Sequence, residues 1–192
     1  MKVMKNPNKI KVQIEGETYE VSSKAIRNYS SWEKKEGSYL YISHTEAGSL
    51  VRQYVKKNFP QYVVKVSSSS FSGGNSLDVY VCNKMGGPIP QHHYSKISEF
   101  AHIWEYGKFN GMYDIYEDYE ASGAISDKGT DLKAGVKYVI VNNRARFGTV
   151  EAILNEVLNE GRSFEDVTKF YTDSTSKPAV VKAKAMLDKL TK

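Results

Sequence analysis

The chain has 192 residues, 40% of them apolar and 26% charged, and a net charge of +5. That is the length of one ordinary domain, or of one domain with a small appendage, and it can bury roughly 70% of the surface an unfolded chain exposes. The single cysteine, Cys82, excludes an internal disulfide and a cysteine-based zinc site, and no apolar stretch approaches the ~20 residues that span a bilayer.

Cys82 lies in an apolar run and reads as a small core residue, and cysteine usage this sparse fits a reducing cytoplasm. The basic start MKVMKNPNK lacks the apolar stretch of a signal peptide, and no membrane association is expected. Charge is uneven. Residues 1–66 carry 12 Lys/Arg against 6 Asp/Glu, residues 67–130 carry 4 against 8, and residues 131–192 carry 11 against 8. Two basic flanks around an acidic centre suit a polyanionic partner, or are simply solvated surface. The 14 tyrosines fit either half-buried sheet faces or an interface.

In chain order, Ile10, Val12 and Ile14 alternate with polar residues, as do Tyr19 and Val21, around the turn Glu15-Gly16-Glu17, which predicts a β-hairpin. Residues 22–36 are polar and helix-compatible with weak periodicity, and a short apolar run follows at 39–42. Ser43-His44-Thr45-Glu46 has the form of a capping box that opens a helix running to about Asn58, closed by Pro60. Residues 62–71 and 77–82 form the clearest hairpin, around Ser72-Gly73-Gly74-Asn75. After the loop at 86–90, a helix is predicted over 91–106 with Gly107 ending it. Residues 109–120 read as a turn and then a strand, 121–135 as a polar loop, and 136–141 as a strong strand. Helices are predicted over 149–160, from Ser163, and over 177–190 with Ser176 near the cap. This order gives an α+β fold, an antiparallel β-sheet packed with helices and extra C-terminal helices. The expected division is 1–43 (hairpin and connecting segment), 44–145 (α+β core) and 146–192 (C-terminal helices packed on or appended to the core).

Several residue groups recur in a recognisable order: Leu50-Val51-Arg52, Lys56-Lys57-Asn58-Phe59-Pro60, Lys65-Val66 leading to Ser72-Gly73-Gly74-Asn75-Ser76-Leu77-Asp78-Val79, Gly87-Pro88, and Phe109-Asn110-Gly111-Met112-Tyr113-Asp114. Together they resemble one of the large polyvalent protein-associated domains of phage and conjugative-plasmid proteins, over about residues 44–120. The resemblance carries no catalytic residue set. It implies a protein that travels with mobile DNA in a host bacterial cell, and, by analogy of context, an anti-defence role such as that of an anti-CRISPR inhibitor.

Three sets of residues carry candidate chemistry. Asp114, Asp118 and Glu120 would share one face of a strand, where carboxylates either hold Mg²⁺ for phosphodiester cleavage or simply meet solvent. His92 and His93 at a helix start could act as general acid and base on RNA, and Glu99 and His102 share a helical face, but surface or capping roles are the plainer reading of the histidines. The basic set is Lys56 and Lys57 late on a helix, Arg144 and Arg146 after a strong strand, and Lys182 and Lys189 seven apart on the last helix. Such groups contact phosphates without sequence preference. No Ser-His-Asp order, dinucleotide fingerprint or P-loop is visible.

The leading expectation is a binding protein that inhibits a host defence nucleoprotein, such as a Cas9-type CRISPR nuclease loaded with guide RNA, through Arg144, Arg146, Lys56 and Lys57 and without a cofactor. The alternative is a nuclease on RNA or DNA using His92 and His93, or using Asp114 and Asp118, in which case Mg²⁺ is a possible cofactor. The third is a non-catalytic docking module of a mobile-element complex.

Overall fold

The computed structural model describes residues 8–29, 37–110, 115–118 and 132–190, with the backbone alone for 107–110 and 115–118. Period-2 alternation produces the first element as predicted. Strands β1 (Lys9–Ile14) and β2 (Glu17–Ser22) pair antiparallel across Glu15 and Gly16, both at positive φ, which matches the twist of a two-residue hairpin. The next segment differs from its helical reading. A single 3-10 turn at Ser23–Ala25 leads into β3 (Ile26–Asn28), antiparallel to β4 (Ser38–Ser43). Residues 22–28 lack an apolar stripe to bury, so pairing with β4 decides their conformation. The remainder of that segment, 30–36, lies outside the described residues.

Helix α1 (His44–Asn58) starts where the capping box places it, with the Ser43 hydroxyl accepting from the Glu46 amide. The Glu46 carboxylate does not return to its own cap. It accepts from the Ser22 amide at 3.3 Å and ties the helix to the end of β2. The helix buries Ala47, Leu50, Val51 and Val55 against strands β5 (Val63–Phe71) and β6 (Gly74–Cys82). Gly48 allows the close approach, because a Cβ there would lie 3.1 Å from both Leu77 Cδ1 and Val66 Cγ1.

Helix α2 (Gln91–His102) ends earlier than predicted. Trp104 is buried, as the apolar stripe requires, but it sits beyond the helix, where Glu105 bridges Val136. Gly107 does not end the helix; it opens β7 (Gly107–Asn110), which pairs antiparallel with β8 (Ile115–Asp118). The end of the predicted 121–135 loop is a strand, β9 (Leu132–Gly135), parallel to β4. Strand β10 (Tyr138–Asn142) lies parallel to β6, giving the order β10-β6-β5. Two groups on its outer edge are met by side chains: the Val139 amide donates to Glu105 at 2.9 Å, and the Val141 carbonyl accepts from the Tyr94 hydroxyl at 3.0 Å.

The C-terminal part is helical as predicted: α3 (Val150–Leu158), α4 (Phe164–Thr168) and α5 (Lys177–Leu190). The turn before α5 is organised by Asp173, whose carboxylate accepts from the Thr175 hydroxyl, the Ser176 hydroxyl, and the Ser176 and Thr175 amides. These bonds hold its carboxyl down at about 2. The fold is α+β, and two parallel pairings join its antiparallel hairpins. Its apolar residues form two clusters. One joins Val12, Ile14, Tyr19 and Val21 of the first hairpin to α1, α2 and the β10-β6-β5 sheet. The other lies among α3, α4 and α5, around Ile153, Leu154, Val167, Tyr171, Ala179 and Ala183. No helix among the described residues is long and apolar enough to cross a membrane.

Candidate nucleic-acid interface

Chain passes between the two clusters through the segment Asn142–Thr149, which is held at several points. The Asn142 side-chain amide donates to the Val79 carbonyl. The Asn143 side chain pairs with the backbone of Ile89, accepting from its N–H at 2.7 Å and donating to its C=O at 3.0 Å. Ile89 stands between Pro88 and Pro90, so it has the only N–H of those three residues. At the other end, Thr149 caps α3 by accepting from the Ala152 amide and donates its hydroxyl proton to the Arg146 carbonyl at 2.7 Å. The loop that receives Asn143 is itself folded by Asn83, which accepts from the Met85 and Gly87 amides. Gly86 (φ +84°) presses that loop onto α3, where a Cβ would fall 1.8 Å from the Glu151 carbonyl oxygen.

Arg144 and Arg146 extend from this segment into a groove of about 800 Å³. Its other walls include Tyr80 of β6, Asn155 and Glu156 of α3, Glu160 and Arg162 of the following turn, and Phe147, Phe170 and Tyr171. Much of its polar lining is internally satisfied. Arg162 pairs with Glu156, which also accepts from the Tyr171 hydroxyl at 2.9 Å. Burial, and then this carboxylate, push the Tyr171 phenol well above its ordinary pKa. Glu160 accepts from Asn155 at 2.7 Å. Arg144 and Arg146, by contrast, are exposed and have no ion-pair partner among the described residues. Beside them, Phe147 is 62% exposed with one face stacked on Tyr171 (4.6 Å between centroids), and Phe170 is 64% exposed. Unpaired guanidiniums next to open aromatic faces suit a ligand that carries both anionic groups and flat rings.

The other candidate residues lie elsewhere. Lys57 is engaged by Glu17 at 3.3 Å and sits over the Tyr19 ring, which leaves Lys56 as the cation of that pair without a partner among the described residues. Lys182 and Lys189 are exposed on α5, whose packing face carries Ala179 and Ala183. None of these four lysines lines the groove. His92 and His93 are adjacent at the start of α2, 4.0 Å apart between ring centroids, and they too are outside the groove. The Tyr62 hydroxyl lies 2.6 Å from His93 Nδ1, and the Phe59 ring packs at 4.9 Å. Partial burial, then the neighbouring charges of His92 and Lys96, hold the His93 pKa below its ordinary value. His102 does not join Glu99; its Nδ1 lies 2.8 Å from the Ser98 carbonyl. Asp114 and Glu120 lie outside the described residues, and Asp118 ends β8 with only its backbone described. Among the described residues no group of three or more His, Cys, Asp or Glu is placed to hold a metal ion.

Sequence reasoning selected Arg144 and Arg146 but not Tyr80, Phe147, Arg162, Phe170 or Tyr171. The available signals were local: Phe147 directly follows Arg146 outside any apolar stripe, and Phe170-Tyr171 follows a five-residue helix.

No curated protein and no solved structure matches the chain. The family model of large polyvalent protein associated domain 29 matches residues 42–147. The match extends beyond the motifs that end near residue 120 and includes the strand and loop that carry Arg144 and Arg146. Because it covers more than half of the chain, the chain belongs to this family, a domain associated with the polyvalent proteins of mobile elements.

Proposed function

We propose that this is a mobile-element anti-defence protein that acts by binding, with the Arg144/Arg146 groove taking the nucleic-acid part of a host nucleoprotein. A Cas9-type nuclease loaded with guide RNA is the most concrete target of this class. The observation that carries the reading is a pair of arginines with no ion-pair partner among the described residues, on a segment fixed at both ends, inside a groove with exposed rings. Fixing the segment lowers the entropy lost when the arginines meet phosphates. The family's association with mobile elements supplies the biological setting.

The test incubates the protein with labelled guide RNA, with and without the nuclease and Mg²⁺. Binding is read by anisotropy over a salt series and RNA integrity on a denaturing gel. Intact RNA, bound with an affinity that falls with salt, is the expected result. Arg144→Ala/Arg146→Ala should weaken binding and flatten the salt slope by about 0.7 for each single-strand phosphate that the variant no longer neutralises. Unchanged affinity and slope in that variant would remove the groove from the mechanism. Shortened RNA accumulating at sub-stoichiometric protein would replace binding by the nuclease reading, and neither binding nor cleavage would leave the docking module.

A further inference from the structure

We propose that the groove is built for a single strand, with unpaired bases lying on the rings of Phe147 and Phe170 while Arg144 and Arg146 hold the adjoining phosphates; this rests on the groove being the nucleic-acid site. Three large apolar side chains among the described residues are more than 60% exposed, and two of them, Phe147 and Phe170, line this one groove. Leaving such rings in water forfeits apolar burial that a core position would have supplied. Phe147 is also held in place: Tyr171 stacks on one of its faces, and its exposure leaves a ring surface open to a partner. The Arg162 guanidinium lies over Phe170, 5.8 Å from its centroid, and is itself paired with Glu156. Each ring therefore has a supporting neighbour, in a groove that Arg144 and Arg146 also line.

A duplex keeps its base faces inside the stack and offers an exterior of phosphates and base edges, so it could engage the arginines but not the rings. A single strand offers phosphates and base faces together, and stacking of this kind tolerates any sequence. An acidic peptide would satisfy the arginines equally well but would leave the two rings without flat partners.

The test compares a short single-stranded RNA, the blunt duplex of the same sequence and a poly-glutamate of matched charge, with wild type and with Phe147→Ala, Phe170→Ala and Phe170→Tyr. A 2-aminopurine base in the strand reports stacking through quenching of its fluorescence. The expected result is a preference for the single strand, with quenching on binding. Each Phe→Ala change should lose at least about fivefold in affinity with the salt slope unchanged, and Phe170→Tyr should restore both affinity and quenching. Unaltered unfolding temperatures separate this loss from a folding defect, which the exposure of both rings makes a small effect. Equal affinity for the duplex, or Phe→Ala variants that bind and quench like wild type while Arg144→Ala/Arg146→Ala still weakens binding, would overturn the single-strand inference and leave the nucleic-acid reading intact. Poly-glutamate competing on equal terms with the strand, or no nucleic acid bound at all, would overturn both.

Discussion

Asn143→Ala tests whether the arginine loop is fixed by the hydrogen-bond pair that joins it to the first core. Asn143 satisfies both backbone groups of Ile89, at 2.7 and 3.0 Å, and Ile89 is only 4% exposed. Truncation leaves an N–H and a C=O without partners in a place that water reaches poorly. Each such group costs about 1–3 kcal/mol, and because Asn143 itself is half-buried, so that water enters partway, the sum is about 2–4 kcal/mol. For a chain of this size that corresponds to a fall in unfolding temperature of about 5–15 °C. Differential scanning calorimetry measures the fall, and anisotropy on the still-folded protein measures the accompanying drop in RNA affinity. Asn143→Asp sharpens the test. Its carboxylate still accepts from the Ile89 amide but turns its second oxygen against the Ile89 carbonyl, which only a protonated carboxyl can satisfy. The folded-state pKa of that carboxyl is therefore raised, and the stability it contributes is present at low pH and lost as pH rises through the raised value. An Asn143→Ala protein that melts within about 2 °C of wild type would refute the pinning argument.

His93 should titrate below the ordinary histidine value, since partial burial and its neighbours disfavour the charged ring. The unfolded chain then takes up the proton first on acidification, so the contribution is present above the ordinary pKa and lost as pH falls through the lowered one; an NMR titration of His93 with a midpoint at or above the ordinary value would contradict this. The Cys82 thiol is pushed up to about 11, chiefly by burial and then by the Glu151 charge, so a disulfide-exchange reagent at about pH 8 should label it only after unfolding. Labelling of the native protein at the rate of a free thiol would show that Cys82 is not sealed in the sheet.

The elements legible in the sequence are those decided locally. Hairpins β1–β2 and β5–β6 and the Ser43 cap rest on alternation, turn residues and a hydroxyl three positions from its donor. The elements misread are decided by distant partners. Strand β9 is four residues of mixed polarity and exists by pairing in parallel with β4, some ninety positions earlier. Trp104 extends the apolar stripe of α2 although the backbone has already left the helix to bridge Val136. The same divide runs through the site. Arg144 and Arg146 stand out as two cations following an apolar strand. Lys57 looks equally available until its partner Glu17 arrives from the first hairpin. Phe147 and Phe170 have only weak local signals in the sequence, because a phenylalanine is read as core until its exposure is known.

The chain carries many cations, and under the proposed reading they are not equivalent. A lysine on the surface of α5, such as Lys182 or Lys189, reaches a phosphate through four rotatable bonds from a helix with no aromatic residue of its own, and each such bond to a phosphate gives up about 0.5–1.5 kcal/mol of side-chain freedom. Arg144 and Arg146 start from a backbone already fixed by Asn143 at one end and Thr149 at the other, and their planar forks suit phosphate oxygens two at a time. Their position also matters. The segment that carries them links the last residues of the sheet core to the first residues of the helical core, and Gly86 locks the loop behind it against α3. A ligand lying in the groove would meet the sheet at Tyr80 and the helical part at Asn155 of α3 at once. Its binding free energy then opposes any opening of the seam between the two cores, so the unfolding temperature should rise with strand concentration in wild type and not in Arg144→Ala/Arg146→Ala.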